Sequence, residues 1–190
     1  MEIYRVRVVL QDIKPPIWRE IELASQTTLK QFHRILQIAM GWEDYHLHEF
    51  VVKTRRYGIP DPEFDLGDSA NEVTSERKVS LAEVLPKPGS SMLYLYDFGD
   101  SWHHEIKLEA VSRPEPDTFY PRVVKGARSC PPEDCGGTPG YEDLLEILLD
   151  PAHEEFDHMR AWVGPKFNAE VFSLDAVNQR LRKNRSLAVK

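Results

Sequence analysis

An α+β domain is the fold class this sequence predicts, and three observations carry it. The chain opens in the order strand, strand, helix. Two further alternating strands meet in a turn near Gly99, and helical patterns gather toward the C-terminus. Elements segregated in this way argue for helices laid on one face of a mixed sheet. The expectation is a mixed sheet with a β-grasp-like strand–strand–helix opening, in which a hairpin wraps the helix, and a helical C-terminal region. The 190 residues read as one domain: 1–112 mainly sheet plus helix, 113–140 a cysteine-containing loop, 141–183 helical.

Tyr4, Val6, Val8 and Leu10 alternate with more polar neighbours, the period of a strand with one buried face. Lys14-Pro15-Pro16 turns the chain, and Ile17 to Leu23 makes the second strand. Thr28 and Gln31 have capping-box spacing. Phe32, Ile35, Leu36, Ala39 and Met40 then fall on one helical stripe, which Gly41 ends. His46 to Val52 reads as a third strand, followed by an irregular excursion rich in Pro, Asp, Glu and Ser. Ser80 and Glu83 cap a short helix before Pro86. Met92–Phe98 and Trp102–Val111 form the strands joined by Gly99-Asp100-Ser101. After the loop 113–140, helices are expected near Tyr141–Leu149, Ala152–Val163 and Leu174–Arg182, with Asp150-Pro151 between the first two.

The composition is that of a globular protein with an ample core: 41% hydrophobic and 29% charged. No apolar run reaches membrane-spanning length, and MEIYRVRVVLQDI lacks the build of a signal peptide. A cytoplasmic location with no membrane partner is therefore expected. The net charge of -7 weighs against a protein whose main task is gripping phosphates. The one segment suited to nucleic acid is the basic tail with Arg180, Arg182, Lys183, Arg185 and Lys190. It reads first as the frayed, solvated end of the last helix.

Chemistry-bearing residues concentrate in LYLYDFGDSWHHEI, from Leu93 to Ile106, where a strand end feeds a turn. On the strand after that turn, Trp102, His104, Ile106 and Leu108 share the apolar face while His103 points to solvent. A buried His104 needs a partner or stays neutral. Asp97 and Asp100 are its nearest carboxylates in sequence, and either could make a His–carboxylate pair. The plainer reading has Asp100 accepting N–H groups in the turn and His104 satisfied in the core. His46 and His48, two apart on an expected strand, would leave one face together, a spacing that can chelate a metal ion. Cys130 and Cys135 in CPPEDCGG have C-x4-C spacing, unlike a thioredoxin-type redox pair. A rigid loop is the simpler reading, with Glu133 and Asp134 available to a cleft. Asp97-Phe98-Gly99 matches a kinase triplet without any accompanying kinase signature, and no nucleophile elbow or phosphate loop is present.

KPPIWREIEL, TLKQFHRILQIAMGWEDYHLHEF, YLYDFGDSWHHEI and CPPEDCGGTPGYEDLLEIL, in that order from about Tyr4 to Leu181, resemble the plasmid pRiA4b Orf-3-like family. That family is also catalogued as passenger "TnpR" proteins of insertion sequences. The resemblance implies matched polar positions at His46, His48, Asp97, Asp100, His104, Glu133 and Asp134. His103 stands where the resemblance leads one to expect an acid. The resolvase label does not fit the residues. A serine recombinase needs a nucleophilic serine beside an arginine cluster, whereas Ser101 lies among Asp97, Asp100 and two histidines.

Three readings follow from residues and resemblance together. The first is an accessory or protein-interaction module, without resolvase activity and with an unspecified protein partner, tied to mobile elements only through what the resemblance implies. The second is a metal-dependent, hydrolase-like enzyme. It would bind a divalent ion through His46, His48 and His104, with Asp97, Asp100, His104, Glu133 and Asp134 as catalytic candidates. The third is a DNA-binding protein of mobile elements using the basic tail. Convergence of the three imidazoles on one point is the observation that separates the first two.

Overall fold

The computed structural model describes residues 1–60 and 73–187. Its strands are β1 (Ile3–Leu10), β2 (Ile17–Ala24), β3 (His48–Val52), β4 (Arg55–Gly58), β5 (Val73–Ser75), β6 (Ser91–Tyr96), β7 (Trp102–Ser112) and β8 (Arg122–Ala127). The helices are α1 (Leu29–Met40), α2 (Leu81–Val84), α3 (Gly137–Leu149), α4 (Phe156–Val163) and α5 (Leu174–Lys183), followed by a single 3-10 turn. The strands form one sheet in the order β5-β4-β3-β6-β7-β1-β2-β8. The β4–β5 pair is parallel and the others are antiparallel, so the sheet is mixed and the domain is α+β.

Alternation decides which face is buried, and register carries that face across the sheet. Val8 lies opposite Arg19 and Ile106, Leu10 opposite Ile17 and His104, Tyr94 opposite His104 and Phe50, and Tyr96 opposite Trp102 and His48. All of these residues are buried. The apolar stripe of α1 packs on this face through Phe32, Ile35 and Leu36, each fully buried. Burying one such side chain contributes about 1.5–3 kcal/mol, so Phe32→Ala is the single change most damaging to α1 docking. Thr28 and Gln31 make the capping box at its start. Gly41, at φ 108, returns its N–H to the Gln37 carbonyl at its end. On the opposite face, Glu22 takes Arg5 and Arg122 at 2.6 Å each, pairing the outward side chains of three strands.

Several boundaries differ from the sequence expectation, and each difference has a physical cause. The third strand begins at His48, because Trp42–Leu47 is an open segment held to the core by other means. Residues 61–72 of the expected excursion lie outside the described residues, and its flanks supply β4 and β5. The loop 113–140 contains β8. Its sequence, RVVKGA, has little alternation and is made a strand by pairing with β2. Asn178 of α5 finishes the job, accepting from the Val123 N–H and donating to the Val123 carbonyl, both at 2.9 Å. The first late helix starts at Gly137, ahead of Tyr141, and the second is shorter than expected. Up to residue 187 the basic tail is docked through the buried Leu181 and Leu187, while its cations Arg180, Arg182, Lys183 and Arg185 are exposed, as expected of a solvated face; Lys190 lies outside the described residues. No helix among the described residues is long and apolar enough to cross a membrane.

Candidate metal centre

Four of the residues singled out in the sequence meet at one end of the sheet. His46 sits in the bend before β3, and its ring packs edge-on against Tyr96, 5.8 Å between centroids. Asp97 ends β6 in the left-handed region, at φ 56, a conformation aspartate tolerates better than most residues. Its Oδ1 accepts the Gly99 N–H at 2.9 Å, which fixes the carboxylate and turns Oδ2 toward His46. Glu133 and Asp134 arrive on the CPPEDCGG loop.

That loop is pinned from both sides. The Trp42 indole N–H donates to the Pro131 carbonyl at 3.0 Å, and the Gly136 N–H donates to Asp100 Oδ2 at 3.1 Å. Gly137 is required twice over: its φ is +68, and a Cβ there would lie 2.6 Å from the Asp100 carbonyl oxygen. Asp100 therefore anchors the loop that delivers the two acids. Glu133 Oε1 in turn accepts from the Glu43 N–H at 2.9 Å and the Tyr96 hydroxyl at 3.0 Å. Burial, with Glu133 alongside, pushes the Tyr96 phenol above its ordinary pKa, so it remains a donor.

The remaining atoms face one another. His46 Nε2 lies 3.2 Å from Asp134 Oδ1, 3.6 Å from Asp97 Oδ2 and 3.9 Å from Glu133 Oε2. None of these contacts has hydrogen-bond geometry. His46 Nε2 and Glu133 Oε2 are both buried atoms without a hydrogen-bond partner among the described residues. Two orphaned buried polar atoms beside two further carboxylates make an unfavourable arrangement unless a cation joins them. One atom each of His46, Asp97 and Asp134 lies within 4.8 Å of the other two, close enough to share an ion, and Glu133 Oε2 stands beside them, 3.9 Å from His46 Nε2. One imidazole with two carboxylates, and a third alongside, fits a hard or borderline divalent ion such as manganese, zinc or ferrous iron. Asp134, with its side chain 70% exposed, leaves the cluster open to solvent on that side.

The three imidazoles named in the sequence do not converge. Because His46 precedes the strand, it and His48 leave the backbone in different directions. His48 instead donates from Nε2 to the buried Glu76 at 2.8 Å and stacks on His33, with centroids 3.4 Å apart and rings 4° from parallel. A chain of donors organises this second group. Gln37 Nε2 donates to the Tyr94 hydroxyl, which is 2.8 Å from His33 Nδ1, and His33 Nε2 is 2.7 Å from Asp44 Oδ1. These partners assign the tautomers, with Tyr94 donating to His33 and His33 donating to Asp44. Burial, then the neighbouring His48, lowers the His33 pKa to about 4. The atoms of His33, Asp44 and His48 lie close enough to hold an ion. Yet an imidazole lone pair lies in its ring plane, and parallel stacked rings cannot both aim at one point.

His104 is a core histidine. Its Nδ1 donates to the Trp102 carbonyl at 3.0 Å, its ring stands edge-on to Trp42, and Nε2 is buried without a partner among the described residues. Complete burial lowers its pKa to about 4, which keeps it neutral. His103 is exposed, as the alternation predicts. Both cysteines are free, and burial pushes each thiol to about 12, so neither offers a thiolate near neutral pH.

Sequence reasoning missed His33, Asp44, Glu76 and Tyr96. His33 and Gln37 stand one helical turn apart at the margin of the α1 stripe, a polar pair beside an apolar face that could have flagged a buried network. Nothing local marks Glu76, which reaches His48 from beyond the excursion.

The comparisons with known proteins agree with this architecture. A crystal structure of a protein of unknown function, MM3350 from Methanosarcina mazei Go1, superposes with a TM-score of 0.81 at 33% identity, covering 92% of this chain and 96% of that one. "Uncharacterized protein y4hQ" of Sinorhizobium fredii (strain NBRC 101917 / NGR234) is 38% identical over 163 residues, 85% of this chain and 81% of the relative. The model of the plasmid pRiA4b ORF-3-like protein family matches residues 2–176. The chain belongs to the plasmid pRiA4b ORF-3-like family.

Proposed function

We propose that this protein is a metal-dependent enzyme of hydrolase type, with a divalent ion held by His46, Asp97, Glu133 and Asp134. The observation that carries the reading is the pair of buried atoms without a partner among the described residues, His46 Nε2 and Glu133 Oε2, 3.9 Å apart, with Asp134 and Asp97 oxygens 3.2 and 3.6 Å from the same nitrogen. A bound divalent ion supplies Lewis-acid polarisation and a hydroxide at neutral pH. The chain's own residues set the rest. Asp97 is locked by the Gly99 N–H, Glu133 by Glu43 and Tyr96, and exposed Asp134 is the group free to accept a proton or yield its place to substrate. His48 and His104, engaged elsewhere, support the fold around the centre.

The test is turnover by metal-loaded protein against a panel of model phosphoesters, carboxylic esters and amides. Hydrolysis of one class that is lost with chelator and in Asp97→Asn supports the reading. A stoichiometrically loaded protein that hydrolyses none would turn it toward the second reading, an accessory or interaction role. That role is favoured by one observation: Tyr45, Leu47 and Phe98 are large, exposed and adjacent in sequence to His46 and Asp97.

A further inference from the structure

A second feature points to a ligand, a cleft beside the metal centre that shares Glu133 with it. An open cleft of about 620 Å³ lies between the C-terminal end of α1, the segment Ser129–Glu133 and the start of α5. Its volume is in the range of small-molecule sites. Trp42, Phe167 and Phe172 are among its apolar walls, and two guanidinium groups, Arg19 and Arg180, also line it.

Arg19 is the unusual residue. In β2 it stands with Ile17, Ile21 and Leu23 on the core face, opposite Val8, and it is 1% exposed. A charge buried there would ordinarily have a carboxylate partner. Arg19 has carbonyls instead: Nε donates to Ala39 at 2.9 Å, Nη1 to Trp18 and Ala127, and Nη2 to Arg128, each at 2.8 Å. Four of its five N–H groups are used, and one on Nη2 has no partner among the described residues. The guanidinium carbon lies over the Phe172 ring, 3.8 Å from its centroid. Its charge is solvated by dipoles but not neutralised, and burial lowers its pKa accordingly. Arg180, exposed on α5, also has no ion-pair partner among the described residues.

The two acids of the cleft already have donors: Glu43 is engaged by the Tyr45 hydroxyl, and Glu133 by the Glu43 N–H and Tyr96. The lining thus combines apolar and aromatic walls with two guanidinium groups that have no carboxylate partner among the described residues. We propose that the cleft binds a small organic carboxylate with an apolar body, the carboxylate on the exposed Arg180 and favoured by the unneutralised charge of the buried Arg19, and the body against Trp42, Phe167 and Phe172. A carboxylate on a guanidinium gives a charge-assisted bond stronger than a neutral one, and the aromatic walls supply area for the body.

Trp42 makes the test direct. Octanoate, octylamine and octanol are titrated into the full-length protein, with tryptophan emission as the readout. Octanoate should saturate the signal at a concentration at least about tenfold below either analogue. Arg180→Gln should weaken octanoate by about tenfold. Ala176→Phe, a change at an exposed position on the cleft wall that leaves the core untouched, should obstruct it. Asp97→Asn should leave octanoate binding unchanged. Equal binding of octylamine or octanol, no saturation by octanoate, or indifference to both cleft variants would overturn the proposal. Loss of octanoate binding in Asp97→Asn would also overturn it, by placing the carboxylate on the metal centre.

Discussion

Two histidine–carboxylate groups lie on neighbouring parts of this fold, and only one of them is finished. In the group built on His33 and His48, each imidazole N–H has an acceptor, Tyr94 bridges Gln37 and His33, and Glu76 closes the set. In the group built on His46, the nitrogen and Glu133 Oε2 are buried with no hydrogen-bond partner among the described residues. The residue types are the same, so residue type does not make a metal site. Hydrogen-bond accounting separates them: a satisfied group holds a fold together, and a group short of a positive charge waits for one.

The comparison breaks most visibly at the ligands. His46→Ala with Asp97→Asn should abolish uptake of one divalent ion per chain, measured by calorimetric titration, whereas His48→Ala should retain it. Uptake lost in both would show that the two groups act as one.

Acid should act on the finished group and on His104. In the unfolded chain these imidazoles titrate near 6.5, and in the folded protein burial holds His33 and His104 at about 4. Between those values the unfolded state carries more protons, so stability falls as pH drops from about 6.5 to about 4. No further loss from these groups follows below that. Each can contribute up to about 3 kcal/mol across the window, and the melting temperature measured against pH checks it. His104→Phe should flatten part of the slope.

Glu76→Ala should cost about 2–3 kcal/mol by leaving the His48 N–H buried without an acceptor. Chemical denaturation should show this loss with ion uptake unaltered. The smallest effect belongs to the exposed ligand. Asp134→Asn keeps the shape and an oxygen donor, and should weaken ion binding by about tenfold, with stability of the ion-free protein unchanged.

Much of the fold was legible because its signals are local. The alternation of Tyr4–Leu10, the capping box at Thr28 and the inward phase of Trp102, His104 and Ile106 all reappear in the structure. β8 was not, because RVVKGA becomes a strand only by pairing with β2 and by the Asn178 clamp. The site was half legible. His46, Asp97, Glu133 and Asp134 stood out as polar residues at turns, but the sequence grouped His46 with His48 on the assumption of a shared strand. The bend before His48 undoes that grouping. Asp100, a catalytic candidate whose plainer reading was an acceptor of N–H groups in its own turn, accepts the Gly136 N–H of the cysteine loop. Arg19 escaped notice because KPPIWREIEL reads as a strand with ordinary charges, and only the register puts that guanidinium on the core face.

The most direct measurement is a crystal of the protein soaked in manganese, with anomalous scattering used to locate the ion. One peak, bounded by His46, Asp97, Glu133 and Asp134, is expected. A peak at His33, Asp44 and His48, or none at either group, would contradict it.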